Sequence, residues 1–113
     1  MNINGMQKLF LVNLKDNNRI EIPASGGIIG RTGDICPSYF MDNVYVSRKH
    51  ARIEYSYGGY VICDLGSKNG TRVNGLTLDV GLNFPIRGGD LLEICDEKFE
   101  ISYVGIIEKH RYI

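Results

Sequence analysis

Tight-turn signals recur at intervals of roughly 8–12 residues along this chain, so only short elements of secondary structure fit between them. The chain contains 14 glycines, and Asn-Gly pairs occur at Asn69-Gly70 and at Asn74-Gly75. Both residues of such a pair tolerate a positive φ, which a two-residue hairpin turn requires. No segment shows a convincing helical period. The sequence therefore predicts an all-β fold, either a sandwich or a barrel.

Short apolar or alternating runs lie between the turns and predict about ten or eleven strands. In the segment 50–55, for example, Ala51, Ile53 and Tyr55 share one face, as a half-buried strand requires. The predicted strands lie at 8–14, 19–22, 26–31, near Ile35, at 50–55, 60–65, 76–78, 82–86, 91–95 and 98–104, with short strands flanking each Asn-Gly pair.

The segment from Thr32 to Val46 is a long connection without a helical period. We expect one short strand near Ile35 and loop structure elsewhere. The segment carries more apolar and aromatic side chains than is usual for a loop, which makes it a candidate binding loop. These side chains are Tyr39, Phe40, Met41 and Tyr45.

A length of 113 residues is one domain's worth of protein. We expect a single domain over residues 1–113, with its core at about 8–104. The C-terminal tail at 105–113 either packs on the sheet or marks where a longer chain was cut. We expect the domain to be a monomer.

The cysteines of the chain favour a reducing compartment. Cys36, Cys63 and Cys95 are odd in number and include no Cys-x-x-Cys pair, which argues against a disulfide framework and a zinc site. Buried free thiols are the expected state. The amino terminus lacks the order of a signal peptide, and no apolar run is long enough to span a membrane. The sequence predicts a cytoplasmic protein.

Charge is unevenly distributed although it sums to zero. A neutral chain has no strong attraction to nucleic acid or to an anionic membrane, so we expect neither as a partner. The segment from Asp79 to Glu108 is acidic, whereas the segment from Arg31 to Arg72 is the cationic part of the chain. Its bases are Arg31, Arg48, Lys49, Arg52, Lys68 and Arg72, against Asp34, Asp42, Glu54 and Asp64.

Within the cationic part, three predicted loops carry donors that suit a phosphate dianion. Arg31 closes one strand, Ser47-Arg48 precedes another, and the tight turn 67–70 includes Lys68. Guanidinium, hydroxyl and ammonium groups together give a phosphate charge-assisted hydrogen bonds. The competing interpretation is that these bases form an ordinary solvated face.

Catalysis and metal binding find little support in the sequence. Ser47, His50 and Asp64 are the residue types of a hydrolase triad, but no Gly-x-Ser-x-Gly elbow or glycine-rich oxyanion loop accompanies them. The histidines His50 and His110 and the scattered cysteines lack the spacing of metal ligands. We therefore expect no enzyme, no metal and no cofactor.

Four short motifs, in this order, resemble the forkhead-associated (FHA) domain family. They are Gly30-Arg31, then Ser47-Arg48-Lys49-His50, then the segment 64–75 with the sequence DLGSKNGTRVNG, then Gly89-Asp90. The match extends from about Leu9 to Val104, with matching β patterns. The resemblance implies a β-sandwich of about eleven short, mostly antiparallel strands, whose loops at one end bind phosphothreonine peptides.

The resemblance also implies roles for individual residues. It predicts that the phosphate is bound by Arg31, Ser47, Arg48 and Lys68, and the peptide by Asn69 and Tyr45. It predicts that the site is supported structurally by Gly30, His50, Gly70 and Asn74. Tyr45 is equally compatible with a place in the core. Lys68 stands where several family members have Thr, so selectivity for phosphothreonine over phosphoserine is an expectation from the family alone.

The expected function is recognition of phosphothreonine-containing protein segments in Ser/Thr kinase signalling or regulated assembly. The partner is then a phosphorylated protein or peptide, and indirectly a Ser/Thr kinase. The alternative is a phosphate-independent protein interaction domain of the same fold, which binds an unmodified protein surface or the rest of its own longer chain.

Overall fold

Two antiparallel sheets face each other across one hydrophobic core in the computed structural model, which describes residues 8–104. The first sheet has six strands in the order β2-β1-β10-β9-β6-β7, and the second has four in the order β3-β4-β5-β8. Within residues 8–104 the strands are β1 (Lys8–Asn13), β2 (Arg19–Ile22), β3 (Gly27–Ile29), β4 (Ala51–Ser56), β5 (Gly59–Asp64), β6 (Thr71–Val73), β7 (Leu76–Thr77), β8 (Phe84–Ile86), β9 (Leu91–Ile94) and β10 (Glu97–Val104).

Alternation along the strands places one face of each sheet in the core. In β1, Leu9 and Leu11 are fully buried, and β10 pairs with β1 so that Leu11 lies opposite the buried Ile101. On the other sheet, Ile53 of β4 lies opposite Ile62 of β5, and both are fully buried. Each such side chain contributes about 1.5–3 kcal/mol through burial. The expected all-β sandwich is confirmed.

The expected strand near Ile35 is wrong. Ile35 is buried and its N–H donates to Ile28 O at 3.0 Å, but the segment is a turn and not a strand. A single helical turn, α1 (Pro37–Phe40), follows it. Four residues are too few to show a helical period, so the sequence pattern gave no signal for α1. It is the only helix within residues 8–104, and it is not long enough to cross a membrane.

The connection between β3 and β4 is anchored by the aromatic side chains of α1. Phe40 is fully buried, and its ring lies 6.1 Å from that of Phe99. Tyr39 packs against both rings at the edge of the core. Of the apolar and aromatic side chains of this connection, Tyr39 and Phe40 therefore pack in or against the core, whereas Met41 and Tyr45 are exposed.

Strand register brings several loops to one end of the sandwich, here called the loop end. Ile29 at the end of β3 pairs with Ala51 at the start of β4, which pairs with Asp64 at the end of β5. On the facing sheet, Thr71 at the start of β6 pairs with Ile94 at the end of β9. The opposite end carries the β4–β5 hairpin, where Tyr55, expected inward, is 44% exposed. The C-terminal tail at 105–113 lies outside the described residues.

Candidate phosphopeptide-binding site

Three loops meet at the loop end and are tied together by hydrogen bonds. Loop A is residues 30–34, loop B is residues 43–49 and loop C is residues 65–70. The Arg31 N–H donates to Ser47 O at 3.2 Å, which joins loop A to loop B. The Lys68 N–H donates to Ser47 Oγ at 2.9 Å, and Asn69 Nδ2 donates to Tyr45 O at 2.8 Å. Loop B is thus held from both sides.

Arg31 is half-buried, and its guanidinium group is oriented by loop B. Its Nε–H donates to the Val46 carbonyl oxygen at 2.7 Å. Within residues 8–104 the terminal nitrogens of this guanidinium make no hydrogen bond to the protein. An arginine held through Nε keeps its outer N–H groups for an external acceptor, which suits a planar, bidentate anion.

Ser47 presents its hydroxyl beside the middle of loop C. Because Ser47 Oγ accepts from the Lys68 N–H, the hydroxyl hydrogen remains able to donate to another acceptor. The neighbouring side chains of Arg48 and Lys68 are exposed. The loops thus bring Arg31, Ser47 and Lys68 together, with Arg48 on the same loop as Ser47.

Ion pairing divides the six bases of the cationic segment into two groups. Arg52 lies 3.3 Å from a Glu54 oxygen on the same strand, and Arg72 lies 3.1 Å from a Glu93 oxygen on the neighbouring strand β9, so both are paired. Among residues 8–104, no carboxylate lies within 4.0 Å of the cationic groups of the other four. These four belong to the converging loops: Arg31, Arg48, Lys49 and Lys68. Within the cationic segment, the bases without a carboxylate partner are therefore those of the converging loops.

His50 connects the loops from beneath. Its ring is fully buried, with Nδ1 accepting from the Ser47 N–H at 3.1 Å and Nε2 within 2.8 Å of Gly70 O. These partners require the neutral tautomer with the proton on Nε2. Burial lowers the pKa of His50, an effect that outweighs the raising influence of the Gly70 carbonyl and of Asp64. The neutral ring is thus the form that fits the folded protein.

We expect His50→Ala to lower the free energy of unfolding by about 2–3 kcal/mol, since a buried ring and two hydrogen bonds are lost. Because its folded-state pKa is lowered, the stability that His50 provides is complete above the unfolded value of about 6.5 and is lost as pH falls below it. Urea unfolding at about pH 7.5 and about pH 5.5 measures both effects. His110→Ala, which changes the other histidine of the chain, is the control. An unchanged melting temperature in His50→Ala would contradict the bracing role.

Asp64 organises loop C, and the sequence analysis missed this. Its carboxylate is buried and accepts from the Gly66 and Ser67 N–H groups at 2.9 and 3.0 Å. It also accepts from the hydroxyls of Ser67 and Thr71, both at 2.6 Å. Burial opposes ionisation, but these hydrogen bonds prevail and lower the pKa of Asp64. An Asp three residues before a Ser at a strand end, the pattern of a side-chain-capped turn, was the available signal.

The predicted supporting residues differ in what they do. Gly30 lies against loop B, where a Cβ would collide with the Arg48 carbonyl and lie 2.8 Å from Ser47 O, so only glycine fits. Gly70 accepts from His50. Asn74 is not brought to the site, because its side chain bonds Asp90 at 3.0 Å, in the turn beyond the opposite end of β6.

The predicted peptide-binding residues lie on the surface of loops B and C. Tyr45 is 63% exposed, so a place in the core is excluded. Asn69 is exposed as well, and its amide nitrogen is occupied by Tyr45 O. The Asn69 amide oxygen therefore remains as the group that can accept from a peptide N–H.

Ser47, His50 and Asp64 do not form the hydrogen bonds of a catalytic triad. Ser47 interacts with the His50 ring through its backbone N–H, while its hydroxyl accepts from Lys68. Asp64 bonds the turn of loop C and not the imidazole.

The cysteines are free thiols, although only Cys63 is buried, Cys36 being exposed and Cys95 intermediate. The expectation that all three are buried is therefore wrong. No group of three or more potential metal ligands occurs within residues 8–104.

A cavity of about 420 Å³ lies at the opposite end of the sandwich, beside the β4–β5 hairpin, and contains none of the predicted site residues. Arg48, Lys68 and Asn69 of loops B and C are instead exposed on the surface. Such a surface suits contact with an extended protein segment better than enclosure of a small molecule.

Comparison with known proteins matches a large part of the chain to one family. The model of the FHA domain matches residues 27–95, which include Arg31, Ser47 and Asn69. Protein FraH of Nostoc sp. is 35% identical over 91 residues, covering 74% of this chain and 32% of FraH. An FHA domain-containing protein of Arabidopsis thaliana is 43% identical over 49 residues, covering 43% of this chain and 13% of that protein. This chain thus spans about a third of the first relative and about an eighth of the second.

Among solved structures, that of Mycobacterium tuberculosis EmbR in complex with a low affinity phosphopeptide matches with a TM-score of 0.75 and 28% identity. The alignment covers 89% of this chain and 26% of that chain. The fold of this chain is therefore shared with part of that structure. Because the family model also matches more than half of the sequence, this chain belongs to the FHA domain family.

Proposed function

We propose that this domain binds phosphothreonine-containing protein segments through loops A, B and C. The observation that carries the proposal is the meeting of Arg31, Ser47 and Lys68 at the loop end, where the cationic groups have no carboxylate partner among residues 8–104. The competing interpretation, an ordinary solvated face, fits Arg52 and Arg72, which are paired with Glu54 and Glu93 away from the three loops. The EmbR structure, a phosphopeptide complex of the same fold, supports the same function.

Each donor has a distinct task in the proposed complex. The outer N–H groups of Arg31 bind two phosphate oxygens, and the Ser47 hydroxyl donates to a third. Lys68 and Arg48, both exposed, add positive charge from either side. Asn69 accepts from the peptide backbone next to the phosphorylated residue, and Tyr45 contacts the side chains that follow it.

The cellular setting follows from this chemistry. A phosphothreonine ligand requires a Ser/Thr kinase upstream, so the domain acts in signalling or in regulated assembly. We propose that it is a recognition module without catalysis, that residues 8–104 act as one monomeric binding unit, and that it works in the cytoplasm. The free thiols at Cys36, Cys63 and Cys95 suit a reducing compartment.

Matched phosphorylated and unphosphorylated peptides test the proposal. An oriented phosphothreonine peptide library identifies a preferred sequence, and fluorescence titration then compares this peptide with its unphosphorylated and phosphoserine forms. We expect affinity in about the micromolar range for the phosphothreonine form and at least tenfold weaker binding without phosphate. Equal affinities for the phosphorylated and unphosphorylated peptides would reject the proposal.

Salt and pH provide a second test of phosphate recognition. Because the contacts are ionic and exposed, affinity should fall as ionic strength rises. Affinity should also fall as pH drops through about 6, where the phosphate dianion gains a proton. Circular dichroism at each pH shows whether the domain remains folded. Binding that is insensitive to both variables would favour the alternative function.

A phosphate-independent interaction domain is the second candidate. The observation that favours it is the exposure of Met41, Val44 and Tyr45, at 57%, 71% and 63%, on or next to loop B. Exposed apolar side chains grouped in this way can bind an unmodified protein surface. This candidate predicts that the unphosphorylated peptide binds as tightly as the phosphorylated one.

A further inference from the structure

Loop B is connected to the turn between β9 and β10 through one side chain, that of Asn43. Asn43 Nδ2 donates to Asp96 Oδ1 at 2.9 Å and to Glu97 Oε2 at 3.0 Å. Its Oδ1 accepts from the Tyr45 N–H at 3.0 Å, and its carbonyl oxygen accepts from the Val46 N–H at 3.1 Å. Both amide hydrogens and the amide oxygen of Asn43 are therefore in use.

One of the two carboxylates that hold Asn43, that of Glu97, is itself anchored to the sandwich. Glu97 Oε1 accepts from Nδ2 of Asn13, a buried residue at the end of β1 whose amide also contacts the Tyr39 hydroxyl. The hydrogen bond from Asn43 lowers the pKa of Asp96, an effect that burial only partly opposes. Glu97 thus fastens loop B to the end of β1, and Asp96 is a second acceptor for Asn43.

Fastening loop B fixes the groups that would meet a phosphopeptide. The Val46 carbonyl orients Arg31, the Tyr45 carbonyl holds Asn69, and Ser47 follows directly. These carbonyls lie two and three residues beyond Asn43, within the turn that its side chain closes. A small displacement of that turn therefore moves Arg31, Ser47 and Asn69 together.

We propose that Asn43 is a positioning residue for phosphopeptide binding, acting from outside the ligand surface through its hydrogen bonds to Asp96 and Glu97. This proposal rests on the proposed phosphopeptide function. Its physical basis is the population of the binding-competent loop, because apparent affinity falls in proportion to the fraction of molecules with loop B in place. Asparagine is required since it both donates to carboxylates and accepts from a backbone N–H, whereas aspartate can only accept.

The test compares three variants with the parent chain, using the preferred phosphothreonine peptide from the library. Asn43→Ala removes both sets of hydrogen bonds and should weaken binding by roughly five- to tenfold. Asn43→Asp places a third carboxylate beside Asp96 and Glu97 and should weaken binding further. Adding Glu97→Gln to Asn43→Asp returns a donor, keeps the net charge of the parent, and should recover most of the affinity lost in Asn43→Asp.

Asn18→Ala is the matched control. Asn18 also donates to an aspartate, at 3.0 Å from Asp16, but in the turn between β1 and β2 and without a hydrogen bond to loops A, B or C. Its substitution should leave the affinity within twofold of the parent. If Asn43→Ala also binds within twofold of the parent, or if Glu97→Gln fails to rescue Asn43→Asp, the positioning role is wrong.

Amide hydrogen exchange separates this proposal from the proposed function. The Lys68 N–H, which donates to Ser47 Oγ, reports on loop B without any peptide. It should exchange faster in Asn43→Ala and at the parent rate in Asn18→Ala. If the parent chain does not prefer the phosphorylated peptide, the proposed function fails, and the proposed role of Asn43 in phosphopeptide binding fails with it. Unchanged Lys68 exchange in Asn43→Ala would overturn the positioning role alone.

Discussion

Arg31→Ala is expected to lower phosphopeptide affinity at least tenfold while leaving the domain folded. A net hydrogen bond to a charged group is worth about 1.5–3 kcal/mol, and each 1.4 kcal/mol is about tenfold in affinity. Arg31 has the outer face of its guanidinium available for two such bonds. Because the Arg31 side chain is only half-buried, its loss removes little packing. The free energy of unfolding should fall by about 1 kcal/mol, which lowers the melting temperature by only a few degrees.

Two further variants separate the charge of Arg31 from its geometry. Arg31→Lys keeps the charge but lacks the planar group that bonds Val46 O, so it should recover only part of the lost affinity. Arg87→Ala removes an exposed arginine in the turn before β9 and should leave affinity nearly unchanged. Normal phosphopeptide binding by Arg31→Ala would mean that the phosphate is bound elsewhere. Unfolding of the variant is detected by circular dichroism before any titration.

The distribution of charge explains how a neutral chain can offer an anion site. Arg52 and Arg72 are paired with Glu54 and Glu93, whereas Arg31, Arg48 and Lys68 lie on the converging loops without a carboxylate partner among residues 8–104. A net charge of zero limits long-range attraction to polyanions such as nucleic acid. It does not limit attraction to one phosphate at short range. The sequence count of six bases overstated the site, because it could not tell paired from unpaired arginines.

The strands and the turns between them could be predicted because their causes are local. Alternating burial in β1 and β10 and the turn at Asn69-Gly70 depend on residues within a few positions of one another. Helix α1 was missed because one turn shows no period, and Ile35 was misassigned because its burial comes from a loop that folds over β3. An apolar residue in the sequence indicates a buried side chain, but it does not show whether the backbone at that position is a strand or a loop.

The supporting residues of the site were harder to predict because their partners are distant in sequence. Asn43 meets carboxylates more than 50 positions away, and nothing in its local sequence distinguishes it from Asn18. Asn74 was assigned to the site by the family resemblance, yet its hydrogen bonds run to Asp90. Such contacts depend on the register of the two sheets, which the sequence alone does not determine.

Asp64→Ala is expected to be the most destabilising of the substitutions considered. Its carboxylate accepts four hydrogen bonds, two of them from the hydroxyls of Ser67 and Thr71. Each buried donor left without an acceptor costs about 1–3 kcal/mol, so a loss of about 3 kcal/mol or more in unfolding free energy is expected. Phosphopeptide affinity should fall as well, because Asp64 shapes the loop that carries Lys68 and Asn69.

Measuring the Asp64→Asn variant at several pH values separates the contribution of the Asp64 charge to stability from that of its hydrogen-bonding geometry. The asparagine oxygen can accept from the backbone N–H groups, and its amide can donate to hydroxyls that rotate, so about half of the stability should remain. Because the folded-state pKa of Asp64 is lowered, its ionic contribution is complete above the unfolded value near 4 and is lost as pH falls below that value. The difference in unfolding free energy between the parent and Asp64→Asn should therefore shrink between about pH 5 and about pH 2.5 in urea titrations. Asp79→Ala, an exposed carboxylate, should change stability by less than about 0.5 kcal/mol. If Asp64→Ala were no less stable than Asp79→Ala, the four hydrogen bonds would not hold loop C together.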